Sequence, residues 1–262
     1  MKDLNHTLTV KADDIPVTGF SHARLSGRET IGLFPDPFTL RLWDLPDAAY
    51  HLLASAKEIS VCSGPSVLAA GTLSDAWRRA VPEGTLTEAV FSSGLRLWEA
   101  PVSLSVEGGA TVSETVRRIL AASGTGIPLL SFSGPDPVRI RGQAFFGRAA
   151  ECVSSALSAA KARACLTPSG LCVIPSSGLP VSLYFAAPEL TDAPAFAAGR
   201  RVILRTAPAG WPLGKAVSVT WQGETVTGLV TERCIDADDG DGPWEAQLLA
   251  ETENSPGEAP GE

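Results

Sequence analysis

Glycine and proline punctuate this chain from end to end, with 25 of the first and 20 of the second and no tract of either. Glycine supplies positive φ without a steric penalty, and proline presets the φ that opens a turn. A chain interrupted this often is confined to many short elements joined by turns, most of them strands. Apolar residues make up 44% and charged residues only 19%, which is the balance of a folded protein and not of a disordered one. At 262 residues the chain can bury a substantial core and divide into two or three domains.

The formal charge is −8, and part of the acidic excess sits in Glu251, Glu253, Glu258 and Glu262 near the end. Phosphate recognition needs clustered Lys and Arg. The basic pairs Arg78–Arg79, Arg117–Arg118, Arg139/Arg141 and Arg200–Arg201 are short and scattered, so no specific nucleic-acid recognition is expected. The first residues, MKDLNHTLTVKADD, are polar where a secretory leader would be apolar. No run of eighteen apolar residues occurs, and no stable membrane insertion is expected. Five cysteines (Cys62, Cys152, Cys165, Cys172, Cys234) are odd in number and lack a C-x-x-C. Buried thiols and a reducing compartment during folding are expected.

Three sections follow from the patterning. Residues 1–100 read as short strands: Leu8–Lys11, Ala23–Ser26, the alternating Phe38–Trp43, Glu58–Cys62 and Ser66–Leu73 across Gly64-Pro65, and Thr85–Phe91. A short helix is expected over Pro46–Ala56 with Asp44 as its cap. Residues 101–174 change character and read β-α-β-α-β-β. Val102–Val106 alternates, and Thr111 with Glu114 forms a capping box for a helix over 112–122 stopped by Gly124. A second helix is expected from about 145 to 162, with Phe146 on its apolar face, followed by a hairpin over 165–174. Residues 175–250 return to strands: Val181–Phe185, Arg201–Arg205, Ala216–Trp221, Thr225–Glu232 and Trp244–Leu249, with a turn at Trp211–Gly214 and a loop at Asp236–Gly242. Residues 251–262 read as a disordered acidic tail. No internal repeat is visible.

A search for chemistry returns little. His6, His22 and His51 lie far from one another and from any acidic pair in sequence, and nucleotide-binding, zinc-protease and nucleophile-elbow motifs are missing. Catalytic, cofactor-binding and metal-ligand residues are accordingly none, and the chain is not expected to be an enzyme. The loop Asp236-Ala237-Asp238-Asp239-Gly240-Asp241-Gly242 offers closely spaced oxygen ligands for calcium, but Gln247 stands where an EF-hand glutamate would be. A solvated hairpin tip, where Asp and Gly accommodate the turn, is the preferred reading of that loop. The six tryptophans (Trp43, Trp77, Trp98, Trp211, Trp221, Trp244) read as mostly core, with one or two at subunit contacts.

Three segments together resemble the central baseplate hub proteins of bacteriophage tails and related contractile injection machines, the T4-type tube-to-spike adaptors. They are Ile59–Ala76 with its Gly64-Pro65 turn; Val102–Gly124 continuing through Phe146–Ala164 and Leu166–Ile174; and Pro194, Gly199–Val202, Trp211–Val219, Thr227–Glu232, the Asp/Gly loop and Trp244–Leu248. The resemblance spans about residues 15–250, though the chain is short for the group. It also lacks a His before the Asp loop, where Cys234 or Ile235 stands.

The resemblance implies a predominantly β, α+β fold with two small tail-tube-like β-barrel domains, 1–100 and 175–250, and an α/β insert with two helices at 101–174. It implies a structural, late virion protein: a homotrimeric ring joining the sixfold tail tube to the threefold central spike. Its partners would be its own copies, tail tube or distal tail proteins, the spike, and the tape measure protein. It would reside in the baseplate after assembly in the host cytoplasm. The alternatives are a tail-tip carbohydrate- or receptor-binding module using Trp residues and the Asp loop, and a tail-associated peptidoglycan hydrolase. The hydrolase would draw its carboxylates from Asp13/Asp14, Asp36, Asp44, Glu58 or the 236–241 loop.

Overall fold

The computed structural model describes residues 7–176, 181–186, 189–197, 201–210, 213–221 and 223–252. The chain forms two compact units. The first is built from the stretch up to Thr30, Asp36–Ser92 and the chain from Val181 onward; the second from Ile31–Pro35 and Ser93–Pro180.

In the first unit, the N-terminal half contributes β1 (Thr9–Ala12), β2 (Ile15–Val17), β3 (His22–Thr30), β4 (Pro37–Trp43), helix α1 (Asp47–Ser55), β5 (Glu58–Ser63), β6 (Ser66–Val81) and β7 (Gly84–Ser92). They pair in the order β3-β4-β7-β6-β5-β1-β2. Alternation decides which residues go inside: Ala23 and Leu25, Phe38, Leu40 and Leu42, Ile59 and Val61, and Ala89 and Phe91 all lie in one core. Phe38 and Phe91 stack across it at 5.7 Å. Each fully buried Leu or Phe contributes about 1.5–3 kcal/mol. Strand β3 extends well beyond the expected Ala23–Ser26 and carries Gly27 opposite Phe38. A Cβ there would stand 2.4 Å from the Phe38 ring and 2.9 Å from its Cα, so the close approach needs glycine. Asp44 does not cap α1, whose N-cap is Pro46. Its carboxylate instead accepts from Ser21 Oγ at 2.7 Å and Thr85 N at 3.2 Å, holding a turn.

The second unit holds α2 (Leu95–Glu99), β8 (Pro101–Val106), α3 (Val112–Ser123), β9 (Leu129–Phe132), β10 (Gln143–Arg148), α4 (Ala149–Ser158), β11 (Ala162–Thr167) and β12 (Gly170–Pro175). Helix α3 starts and stops as its sequence dictates: Thr111 Oγ1 accepts from Glu114 N at 3.2 Å, and Gly124 closes it at φ 66°. The reciprocal half of the box is replaced, because the Glu114 carboxylate pairs with Arg118. Asp136 takes over at this end, accepting from Ser113 N at 2.8 Å and Ser113 Oγ at 2.7 Å.

The expected helix over 145–162 is a strand followed by a shorter helix. Phe145 is buried and Phe146 is 89% exposed, which is the period of a strand; Gly147 at φ 131° is still paired within β10, and Arg148 is the N-cap of α4. The hairpin β11–β12 forms as expected, with Cys165 opposite Cys172, and β9 pairs parallel to β12. Segment 31–35 joins this unit through a bridge from Gly32 to Cys165 and through buried Leu33.

The C-terminal half returns to the first unit with β13 (Val181–Ala186), β14 (Ala195–Ala197), β15 (Arg201–Thr206), β16 (Ala216–Trp221), β17 (Glu224–Asp238) and β18 (Trp244–Thr252). It pairs in the order β14-β15-β18-β17-β16-β13, and β17 also pairs with β3, so both halves lie in a single thirteen-stranded sheet. The fold is predominantly β with a few helices. In place of two separate barrels there is one joined sheet, and no closed barrel forms among the described residues. The cause is β17, whose first part pairs with β16 and whose second part runs on to pair with β3.

The strand therefore continues through Asp238, where the sequence reads as loop. Strand β18 likewise runs to Thr252, and the remainder of the expected acidic tail lies outside the described residues.

The two halves repeat one plan. Strands β3, β4, β5, β6 and β7 correspond in order and pairing to β14, β15, β16, β17 and β18. Each long strand carries a one-residue slip at the same place, at Ser74 in β6 and at Thr231 in β17. Glu58 opposite Thr72 matches Ala216 opposite Leu229 as the first pair of each hairpin.

Candidate assembly surface

The seam between β17 and β3 is where the two halves meet, and its half-exposed face is a ladder of opposite charges. Successive even-numbered residues of β3 point to this face and reach diagonally to β17. Arg24 donates to Asp236 through Nε at 2.9 Å and Nη2 at 2.8 Å, His22 lies 2.5 Å from Asp238, and Arg28 lies 3.6 Å from Glu232. On the opposite, buried face Arg233 meets Glu29 at 2.5 Å, their side chains only 7% and 11% exposed. The polar face continues over β4, β7 and β6. Glu88 receives Arg41 Nε at 2.8 Å and Trp77 Nε1 at 3.2 Å, with Arg79 at 3.3 Å. The Arg41 hydrogen bond, joined by the charges of Arg41 and Arg79, holds the Glu88 carboxyl below its usual range against the opposing effect of burial.

At the end of the seam, sequence reading missed a contact 216 residues apart. His22 enters from β3 and meets Asp238 and Asp239, so it does stand beside an acidic pair, and it stacks on Trp43 at 4.4 Å. Burial pushes the Asp238 carboxyl up. The His22 hydrogen bond and charge, with the Gly240 and Gly242 amides, more than offset this and hold it low. The ligand atoms of His22, Asp238 and Asp239 lie within 4.8 Å of one another. They are engaged with the protein: Asp238 Oδ1 also accepts from Gly240 N at 2.9 Å, and Asp239 Oδ1 from Ala23 N at 2.7 Å. With Asp236 held by Arg24, the acidic run is a pinned strand end and turn.

The other candidate carboxylates behave similarly. Asp13 accepts from Lys57 N and Glu58 N, and Asp36 from Thr30 N at 2.8 Å and Thr30 Oγ1 at 2.6 Å. His51 lies on α1 beside Tyr50, and His6 lies outside the described residues. The tryptophans are less buried than their sequence setting suggests. Trp43, Trp98, Trp221 and Trp244 are half-buried, Trp77 is 39% exposed, and Trp211 lies outside the described residues. A large indole at the rim of a core keeps its N–H near a partner, as Trp98 does by donating to Leu33 O. The five thiols form no disulfide, and burial pushes Cys152 and Cys234 up.

Two stretches of the sheet are edges. Among the described residues, β6 beyond Thr72 pairs with β7 on one side only, and β14 pairs with β15 alone. Both carry exposed aromatic side chains, Trp77 at 39% and Phe196 at 48%.

No family model matches the chain, and no curated protein matches its sequence. Solved structures do match its fold. A tail protein from Neisseria meningitidis superposes with a TM-score of 0.68 at 12% identity, covering 95% of this chain and 97% of that one. The 43 kDa tail protein of prophage MuSo2 from Shewanella oneidensis gives 0.68 at 11% identity, covering 94% and 96%. An Escherichia coli component of the type VI secretion system, described as similar in structure to the T4 bacteriophage tail proteins gp27 and gp5, gives 0.69 at 12% identity and covers 95% and 77%. The chain thus shares the fold of phage-tail and type VI secretion proteins along nearly its whole length.

Proposed function

We propose that the chain is a baseplate hub subunit of a phage tail or a related injection machine, a trimeric ring that joins a sixfold tail tube to a threefold spike. The observation that carries this reading is the repeated strand plan within one unit, from β3–β7 to β14–β18. Three chains, each with a doubled plan, offer six similar sheets to a tube and three identical subunits to a spike. The likeness in fold to tail proteins supports the same reading.

We take the role to be structural. Asp44, Glu88, Asp136 and Asp238 are all held below the ordinary carboxylate range, so none of these four has the raised carboxyl of a general acid. Its partners are its own copies, tail tube or distal tail proteins, the spike and the tape measure protein, within the assembled baseplate. The tube-like halves are the stretch up to Thr30 with Asp36–Ser92, and the chain from Val181 onward; Ser93–Pro180 with Ile31–Pro35 is the insert, so the bounds expected at 100/101 and 174/175 move to 92/93 and 180/181. Imaging of particles carrying this chain tests the reading: three copies around the central axis support it, and six copies or a peripheral position overturn it.

A further inference from the structure

We infer that a second copy of this chain docks its β14 edge against the exposed second half of β6, continuing the sheet from one chain into the next. The inference deepens the hub reading and depends on it only for closure into a ring of three. One junction of this kind already exists inside the chain. Past its slip at Thr231, β17 pairs with β3. The counterpart of that stretch is Asp75–Val81 of β6, past its own slip at Ser74, and the counterpart of β3 is β14. Both counterparts are edges among the described residues. The acceptor and the donor of a second, equivalent junction are therefore present on every chain, and they can meet head-to-tail between chains.

Burial supports the correspondence. On β17 the residues facing the core at the junction are closed over, with Arg233 at 6%, Ile235 at 2% and Ala237 at 0%. At the matching positions of β6, Ala76 and Arg78 are half-buried and Ala80 is exposed. Arg78 is already held by α1 and the turn before it, donating to Asp47 Oδ1 at 2.5 Å and Leu45 O at 2.8 Å and lying over the Tyr50 ring, so a neighbouring strand would cover chiefly Ala76 and Ala80.

The register follows from the same matching. Gly27 pairs with Phe38, which pairs with Phe91 and through it with Leu73, just before the slip. Phe196 pairs with Val202, then Ala250, then Val230, just before the other slip. Phe196 thus stands where Gly27 does. Since Gly27 lies opposite Ile235, Phe196 of one copy lies opposite Arg78 of the next, with Ala195 opposite Arg79 and Ala197 opposite Trp77. Volume is conserved by exchange: the internal junction sets a glycine beside Phe38, and β14 sets a phenylalanine beside the smaller Val202. Main-chain hydrogen bonds would supply affinity and these side chains the register, as in strand addition generally.

Mixing two full-length single variants, Arg79→Cys and Ala195→Cys, under a mild oxidant and mapping the disulfide by mass spectrometry tests this register between chains. A 79–195 link is expected, with roughly tenfold less product when Phe196→Cys replaces Ala195→Cys, because a shift of one residue turns the thiol to the other face. The pair Trp77→Cys and Ala197→Cys gives an independent reading should Arg79→Cys disturb folding. If neither in-register pair links, the inference is overturned. A trimeric mass would then leave the hub reading standing on another contact. A link in an assembly of some other copy number supports the edge pairing and removes the threefold ring.

Discussion

Arg24 and Asp236, 212 residues apart, meet as a two-point ion pair across the only seam that joins the two halves of the sheet among the described residues. On the other face of the same strands, Glu29 and Arg233 form a second pair away from water. The two should respond differently to mutation. The first pair is about a third exposed, at 32% and 34%, so solvent screens it. Arg24→Ala and Asp236→Ala are each expected to cost about 1 kcal/mol, with a coupling of about 0.5–1 kcal/mol in a double-mutant cycle by urea denaturation. Glu29→Gln should cost about 3 kcal/mol, because it removes the carboxylate charge facing the buried Arg233 guanidinium. Equal losses for the two pairs would mean that burial does not set their strength.

Acid should loosen the fold through Asp238, Glu88 and Asp136. Each has its carboxyl pKa lowered by folding. A group of this kind stabilises the native state above its unfolded pKa of about 4, and the contribution fades as pH falls through the folded value. Melting temperatures should hold from pH 7 to about 4.5 and drop below it. Asp238→Asn should lower stability at pH 7 and flatten the acid limb. An unchanged limb would show that Asp238 is not part of the response.

The start of α3 has two caps, and they should be separable. Thr111→Ala should cost about 1 kcal/mol through its bond to Glu114 N. Asp136→Ala should cost about 1–2 kcal/mol, since it removes a charged acceptor from a helix N-terminus. Thermal denaturation of the two variants orders them, and a larger loss at Thr111 would reverse the assignment.

Titration of denatured, unreduced protein should find five thiols, in keeping with five cysteines and no disulfide. A count of three would signal one bridge, and Cys165 with Cys172, opposite each other on β11 and β12, is where peptide mapping should look.

Local signals survived into the structure and distant ones did not announce themselves. The Thr111 cap, the Gly124 stop, the β8 alternation and the hairpin turns at Gly64-Pro65 and 168–169 depend on neighbours in sequence, and all formed. The stretch before α4 misled because Phe145-Phe146-Gly147-Arg148 runs straight into an alanine-rich helix that does form, and only the contrast of buried Phe145 with exposed Phe146 and the φ of Gly147 mark it as strand. His22 with Asp238 left no trace in sequence because nothing local requires it. The repeated plan was invisible for a sharper reason. Matching positions such as Trp77 and Cys234, or Arg79 and Asp236, share a place in a sheet and no chemistry. Strand order and one slip per half constrain alternation far more than residue identity.

The β3–β17 seam also sets a timetable for synthesis. Glu29 leaves the ribosome 204 residues before Arg233, its partner. At ordinary elongation rates that is a wait of roughly 10–40 s. During this interval the outer edge of β3 has nothing to pair with, while the contiguous stretch Ser93–Pro180 can finish folding. An unpaired strand is a template for the wrong neighbour, and charges along it discourage such pairing. Arg24, Arg28 and Glu29 thus guard the nascent edge before they become rungs of the finished sheet.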